Sequence, residues 1–298
     1  VTNVGLAADA LRGELDALAR RSPGRWAFSV RESGRPVASV SGSVVMPAAS
    51  TVKVALLALV LVDVAAGERS LDDPLPVPDR RAGGTGVLDL MPSVRALPLG
   101  EALELMIGVS DNTATNMVID ALDLDEAGRR IVALGASSTL LRRHLMDTDA
   151  ARAGRDNVTT ADDQALILDR LAGPDLLPQP WRRYALDVLG RQQFNDRIPA
   201  GVGPDVRCAH KTGELPGVRH DVGVLEFDGR SVVLAALGSE LTDPVSQGAG
   251  TGPAGGVIST AADLVVAAVR SDGGGHGAGD EDGESMAERA TNSGGERS

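Results

Sequence analysis

Leu11, Leu15 and Leu18 recur at helical spacing inside residues 3–21, which predicts an amphipathic helix with one buried face. Two short alternating runs follow, Trp26–Arg31 and Pro36–Ser41, separated by Ser33-Gly34; the pattern predicts a β-hairpin. Ser50 to Ala66 is almost continuously apolar and predicts a buried helix, and Asp72–Arg81 reads as a proline-rich loop. Helical periodicity then covers about 99–107, 113–121, 125–134, 160–172 and 180–190, punctuated by Pro and Gly. Strand-like texture begins at Val206, over Val206–Thr212, Arg219–Phe227 and Ser231–Gly238, and a last helix is expected over Ser259–Arg270.

That order has a topological consequence. The early and late strands can share one antiparallel sheet only if the helical block between them is an insertion. The chain is therefore expected to be α+β, with residues 1–48 and 191–270 forming a sheet domain and 49–190 an inserted helical domain. A cleft between the two is the expected place for a small-molecule site. Residues 271–298, rich in Gly, Ser, Asp and Glu, are expected to be a disordered tail.

Composition narrows the function. A net charge of −12 disfavours nucleic acid and anionic membrane surfaces as partners. No apolar run long enough to cross a bilayer is expected. The single cysteine, Cys208, excludes an internal disulfide. The four histidines, His144, His210, His220 and His276, show no metal-ligand spacing, so neither a metal nor another cofactor is expected. The N-terminus lacks a basic segment followed by an apolar stretch. A cytoplasmic monomer is expected for the chain as it stands, and an exported one if a leader has been trimmed away.

The cations carry the sharpest signal. Of 29 basic residues only Lys53 and Lys211 are lysine. Arginine keeps its proton near neutral pH, whereas a desolvated lysine can lose it. Both lysines fall in short motifs. Ser50-Thr51-Val52-Lys53 opens the apolar helix, Ser110-Asp111-Asn112 follows 60 residues after Ser50, and Lys211-Thr212-Gly213 lies on the first late strand, 101 residues after Ser110.

An S-x-x-K spacing sets a hydroxyl and an amine one helical turn apart, which suits a serine nucleophile with a lysine base. Burial and the nearby charge of Lys211 would lower the pKa of Lys53. Ser110 is a candidate proton relay to the leaving group, and Asn112 a candidate to hold a substrate amide or Lys53. Lys211 and Thr212 are candidates for a substrate carboxylate. The strand edge after Gly213 and the Ser50 N–H would supply an oxyanion hole. Each motif alone occurs by chance in many chains; the ordered set, using both lysines, does not.

From about Leu6 to Arg270 the chain resembles the class A β-lactamase and penicillin-binding serine hydrolase family, whose motifs are S-x-x-K, S-D-N and K-T-G. The resemblance extends to Ala48-Ala49-Ser50-Thr51-Val52-Lys53, Val109-Ser110-Asp111-Asn112-Thr113-Ala114 and Arg219-His220-Asp221-Val222-Gly223. It implies a five-stranded antiparallel sheet flanked by helices with an all-helical insertion. It also implies Ser50 acyl-enzyme chemistry on a carboxylate-bearing lactam, amide or ester, with Arg219 helping to bind the carboxylate. One motif departs. The family's E-x-x-L-N glutamate, which activates the deacylating water, is missing, because no glutamate occurs between Glu126 and Glu214. Asp147 is the first candidate to replace it, with Asp149 and His144 behind. The expectation is therefore acylation with impaired or nonstandard release. The alternative is a penicillin-binding protein, trapping or D-alanyl peptidase-like, with negligible turnover. Glu214, directly after Gly213, would set a carboxylate at the rim of the site.

Overall fold

The structure is a computed structural model and describes residues 3–242 and 252–273. α1 (Asn3–Arg21) precedes the hairpin β1 (Arg25–Glu32) and β2 (Arg35–Val40), then the short strand β3 (Met46–Pro47). A 3-10 turn at Ala49–Thr51 leads into α2 (Val52–Ala65). The inserted segment carries β4 (Pro74–Pro76), β5 (Ala96–Pro98), α3 (Leu99–Gly108), α4 (Asn112–Leu122), α5 (Leu124–Ala133), α6 (Thr148–Arg152), β6 (Val158–Thr159), α7 (Ala161–Ala172) and α8 (Gln179–Leu189). The chain then returns through β7 (Arg207–Leu215), β8 (Val218–Phe227), β9 (Arg230–Ser239) and α9 (Pro253–Gly273).

The five long strands form one antiparallel sheet in the order β2-β1-β9-β8-β7, so early and late segments do share a sheet, and β7 is an edge. Alternation along the strands divides the interior into two cores. Trp26, Phe28, Val30, Val232, Leu234 and Ala236 face one way, onto α1 and α9. Ala27, Val222, Val224, Val233, Ala235 and Leu237 face the other way, onto α2 and the inserted helices. Helix α2 lies at the centre of that second core, with twelve of its fourteen residues buried.

Several details differ from the sequence-based expectations. The Asp72–Arg81 segment contains a strand, β4, paired with β5. Ser50 sits in the 3-10 turn rather than in α2 itself. The last helix begins at Pro253, six residues early, because proline is favoured at a helix start even where Gly255 and Gly256 weaken the periodic signal. Residues 271–273 complete α9, and residues 274–298 of the expected tail lie outside the described residues. Contrary to expectation, α9 is long and apolar enough to cross a membrane. Its Ile258, Ala261, Ala262, Val265 and Val269 are nevertheless buried in the first core, which is the behaviour of a core helix.

His220 ties the sheet to the chain entering the 3-10 turn. Its ring is fully buried, with Nε2 2.8 Å from Pro47 O and Nδ1 3.2 Å from Gly238 N. Pro47 O can only accept and Gly238 N–H can only donate, so the ring is neutral with its proton on Nε2. Burial pulls its pKa down from 6.5 to about 4. The unfolded chain therefore binds a proton that the folded chain refuses between those values. Stability is full above about pH 6.5 and falls as the pH drops toward 4, by up to about 3 kcal/mol from this group. Urea unfolding across that range should show a steeper loss in the wild-type protein than in His220→Gln. Parallel curves would remove His220 as a source of the slope.

Candidate active site

The segment ahead of Ser50 is fixed from three sides. Pro47 is held by His220, Ala48 N donates to Asn157 O at 2.9 Å, and Ala48 O accepts from Thr51 N at 3.1 Å and Thr51 Oγ1 at 2.6 Å. Ala49 takes a φ of +46°, a left-handed conformation that turns the chain sharply into the helix. Ser50 is half-buried, and its Oγ has no hydrogen-bond partner among the described residues.

Lys53, three residues on, is completely buried. Its Nζ lies 2.8 Å from Ser110 O, 2.9 Å from Ser110 Oγ and 3.0 Å from Asn112 Oδ1. Burial lowers its pKa well below 10.5, the charge of Lys211 lowers it further, and Asp111 opposes both. Ser110 reaches Lys53 with both oxygens from a left-handed backbone, φ +56°. Asp111 caps α4 through Ala114 N at 2.9 Å and accepts Val87 N at 2.7 Å and Leu88 N at 2.9 Å. Asn112 Nδ2 donates to Gly83 O at 3.0 Å, which fixes the amide so that Oδ1 faces Lys53.

The residues that hold Ser110-Asp111-Asn112 from below were missed in the sequence. They form the loop Gly83-Gly84-Thr85-Gly86. Thr85 Oγ1 donates to Ser110 O at 2.7 Å, and Thr85 O accepts Asn112 N at 3.1 Å. A Cβ at Gly84 would stand 2.7 Å from Asn112 Nδ2, so the loop approaches closely enough to need glycine there. Three glycines in four residues are the available signal.

The third motif lies inside β7 rather than at its end, because the strand runs on to Leu215. Lys211 is fully buried on the face that meets α2. Its Nζ donates to Thr212 O at 2.9 Å, and burial lowers its pKa to about 7, with Asp221 opposing and Arg197 assisting. Gly213 shares that face. A Cβ there would lie 3.0 Å from Thr51 Cγ2 and 3.3 Å from Thr51 N, so only glycine lets the strand pass this close to the Ser50 turn. Thr212, Glu214 and Arg219 alternate onto the opposite face, reached around the same sheet edge. There Arg219 Nη1 lies 2.6 Å from Glu214 Oε1, and Arg197 Nη2 donates to Glu214 Oε2 at 2.6 Å. Nothing in the sequence singled out Arg197.

The segment between the second and third motifs is built on Asn157, whose Oδ1 accepts Arg142 N and Arg143 N at 2.8 and 3.2 Å, and on the Arg143–Asp156 ion pair at 2.7 Å. Asn116 clamps Leu145 through both backbone groups, at 2.8 and 3.1 Å. Met146, at φ +67°, brings its sulfur beside Gly84, on the side where Asn112 lies. The three candidates for the absent glutamate are engaged elsewhere. Asp147 is exposed and caps α6 through Ala150 N at 2.9 Å. Asp149 pairs with Arg152, and His144 Nε2 lies 2.7 Å from Asp120 Oδ1. No hydrogen bond among the described residues joins Asp147 to Ser50, Lys53, Ser110 or Asn112. The described residues contain no cluster suited to a metal ion.

Comparison with known proteins agrees with this geometry. The chain is 29% identical to PBP-A, with a TM-score of 0.77 over 88% of this chain and 96% of that one. It is also 29% identical to the β-lactamase from Sphaerobacter thermophilus DSM 20745, with a TM-score of 0.75 over 88% of this chain and 97% of that one. A leucine-to-glutamate mutant of PBP-A, solved as an acyl-enzyme complex with penicillin G, matches at 28% identity and a TM-score of 0.76, over 88% and 97% of the two chains. Among curated sequences, β-lactamase 1 of Streptomyces cacaoi is 27% identical over 153 residues, which is 47% of this chain and about half (46%) of that protein's length. The model of the β-lactamase enzyme family matches residues 10–269, nearly the whole described chain, and the protein belongs to that family.

Proposed function

We propose that the protein is an active-site serine hydrolase that accepts the acyl group of a lactam, amide or ester on Ser50 and releases it slowly. The observation that carries this reading is the set of partners around Lys53. A neutral amine offers two N–H donors and one lone pair. Nζ donates to all three oxygens when charged; Ser110 O and Asn112 Oδ1 can only accept, so an amine that has lost a proton keeps both of them and leaves its lone pair for Ser110 Oγ, the one partner that can also donate. Lys53 and Ser110 thus form a proton path in which the hydroxyl can donate to the amine or accept from it. A donor amide that binds Asn112 releases the N–H held by Oδ1, so the Nζ group can rotate, turn its lone pair from Ser110 Oγ to Ser50 Oγ, and take the Ser50 proton as Oγ attacks. Ser110 passes that proton to the leaving group. Lys211, Thr212 and Arg219 bind the donor's carboxylate, and the backbone near Gly213 with Ser50 N–H receives the oxyanion.

Slow release follows from the segment over the site. Leu145 and Met146, which are apolar, occupy the stretch clamped by Asn116 and lying against Gly84, while Asp147, Asp149 and Asp156 cap or pair elsewhere. No unspent carboxylate is evident there to activate water. The likeness to the PBP-A mutant solved as an acyl-enzyme complex with penicillin G supports acylation of Ser50, and the limiting form of this reading is a penicillin-binding protein with negligible turnover.

Mixing the protein with penicillin G and following intact mass should reveal a stoichiometric adduct on Ser50 that outlasts many minutes. Rapid turnover with no accumulated adduct would overturn slow release. Lys53→Ala should slow adduct formation by about 10³-fold, and an unchanged rate would remove Lys53 from the mechanism.

The rate of acylation should also depend on pH in two opposed ways. Acid protonates Lys53 and slows every donor. Above about pH 7 Lys211 loses its proton, so carboxylate-bearing donors should slow while neutral esters do not. Equal alkaline behaviour of penicillin G and its methyl ester would take Lys211 out of carboxylate binding.

A further inference from the structure

Glu214 sits where the acyl donor's carboxylate would be received. It follows Gly213 on β7 and pairs across the sheet with Arg219 on β8. Its Oε1 lies 2.6 Å from Arg219 Nη1, and its Oε2 accepts from Arg197 Nη2 at 2.6 Å. The two arginine side chains are 7% and 4% exposed, while that of Glu214 is 22% exposed and so lies at the solvent edge of the trio. Arg197 is further held by the carbonyls of His220 and Gly213, at 2.8 and 3.3 Å, and by Asp196 at 3.7 Å. Among the described residues, Glu214 and Asp196 therefore already pair with these two guanidinium groups before any donor arrives.

We propose that Glu214 is a specificity-determining residue, setting how strongly the site selects a carboxylate on the acyl donor by competing for Arg219; the proposal rests on the Ser50 acylation reading. A donor carboxylate arriving at Arg219 meets a guanidinium already neutralised, and it meets the negative charge of Glu214 a few ångströms away. Both effects weaken binding of an anionic donor and leave a neutral one untouched. The wild-type site accordingly selects a carboxylate through Lys211 and Thr212 more than through Arg219, which narrows its preference over neutral amides and esters. A purely structural ion pair would affect both donors alike.

The test compares penicillin G with its methyl ester on the same enzyme, scoring second-order acylation of Ser50 by intact mass. The readout is the ratio of the two rates, which cancels any loss of folded protein. Glu214→Gln should raise the ratio about tenfold in favour of penicillin G. Glu214→Asp, which keeps the charge, should stay near the wild-type ratio. In an Arg219→Gln background the Glu214→Gln change should lose most of its effect, since the contested group is gone. If Glu214→Gln does not fold, Glu214→Ser replaces it with the same expectation. An unchanged or lowered ratio, or an equal rise in the Arg219→Gln background, would overturn the proposal. Absence of any Ser50 adduct with either donor, in wild type and variants, would instead sink the acylation reading and this proposal with it.

Discussion

Lys53 Nζ, enclosed among Ser110 O, Ser110 Oγ and Asn112 Oδ1 with no exposure to solvent, imposes the constraint to which the surrounding structure answers. An ammonium ion taken out of water costs several kcal/mol unless it is compensated. Three acceptors and the nearby Asp111 favour the charged form, while burial and Lys211 favour the neutral one. The balance lies on the neutral side of an ordinary lysine, which is what proton exchange at moderate pH requires. The means of achieving it involve strain. Ser110 adopts a left-handed backbone, at a cost on the order of 1 kcal/mol, so that its carbonyl and its hydroxyl both reach the same nitrogen. Asp111 offsets that cost by accepting three backbone N–H groups, two from the loop below and one from α4.

The same economy governs the sheet. Successive residues of an edge strand point to opposite faces, so Lys211 and Gly213 meet the Ser50 turn while Thr212 and Glu214 meet Arg219 and Arg197. A slip of one residue in β7 would exchange the two sets and replace Gly213 with a side chain against Thr51. Register is protected by pairing along the whole of β8 and by the buried His210–Asp221 contact at 2.9 Å. The edge strand is thus an active element: one face sets Lys211 near Lys53, and the other sets Glu214 against Arg219 and Arg197.

Much of this was legible before any coordinates. The helix over residues 3–21, the hairpin, and most of the inserted helices follow from periodicity, because each buries one stripe or one alternating face. The three motifs stood out because lysine is rare in this chain, and the structure gathers Lys53, Ser110 and Asn112 into direct contact. The illegible parts share a physical cause: they depend on contacts between segments far apart in sequence. The tie from His220 to Pro47 spans 173 positions, and Arg197 reaches Glu214 across a loop. The Gly83–Gly86 loop has a readable composition, but its role depends on lying beneath Ser110. The start of α9 was hidden because glycine at Gly255 and Gly256 suppresses the local helical signal, although packing on the sheet supports the helix there.

On the proposed reading, acylation and release make different demands on the site, and the chain meets them unequally. On the acyl-enzyme reading, attack by Ser50 needs a base close to the turn that carries the serine, and α2, which starts two residues later, provides Lys53. On that reading, release needs a second base beside the acyl carbonyl, supplied by the segment between the second and third motifs. In this protein that segment is held by hydrogen bonds: Asn116 grips both backbone groups of Leu145, Asn157 grips Arg142 and Arg143, and Asp147 starts a helical turn. A carboxylate spent on a cap or an ion pair gains little by taking a proton from water, because doing so sacrifices the contact that holds it. The scaffold that positions the segment is present, and the side chains it presents, Leu145 and Met146, have no proton to exchange. On the acyl-enzyme reading, the lifetime of the adduct is therefore set by the identity of one or two side chains on an ordered segment and not by looseness of the fold.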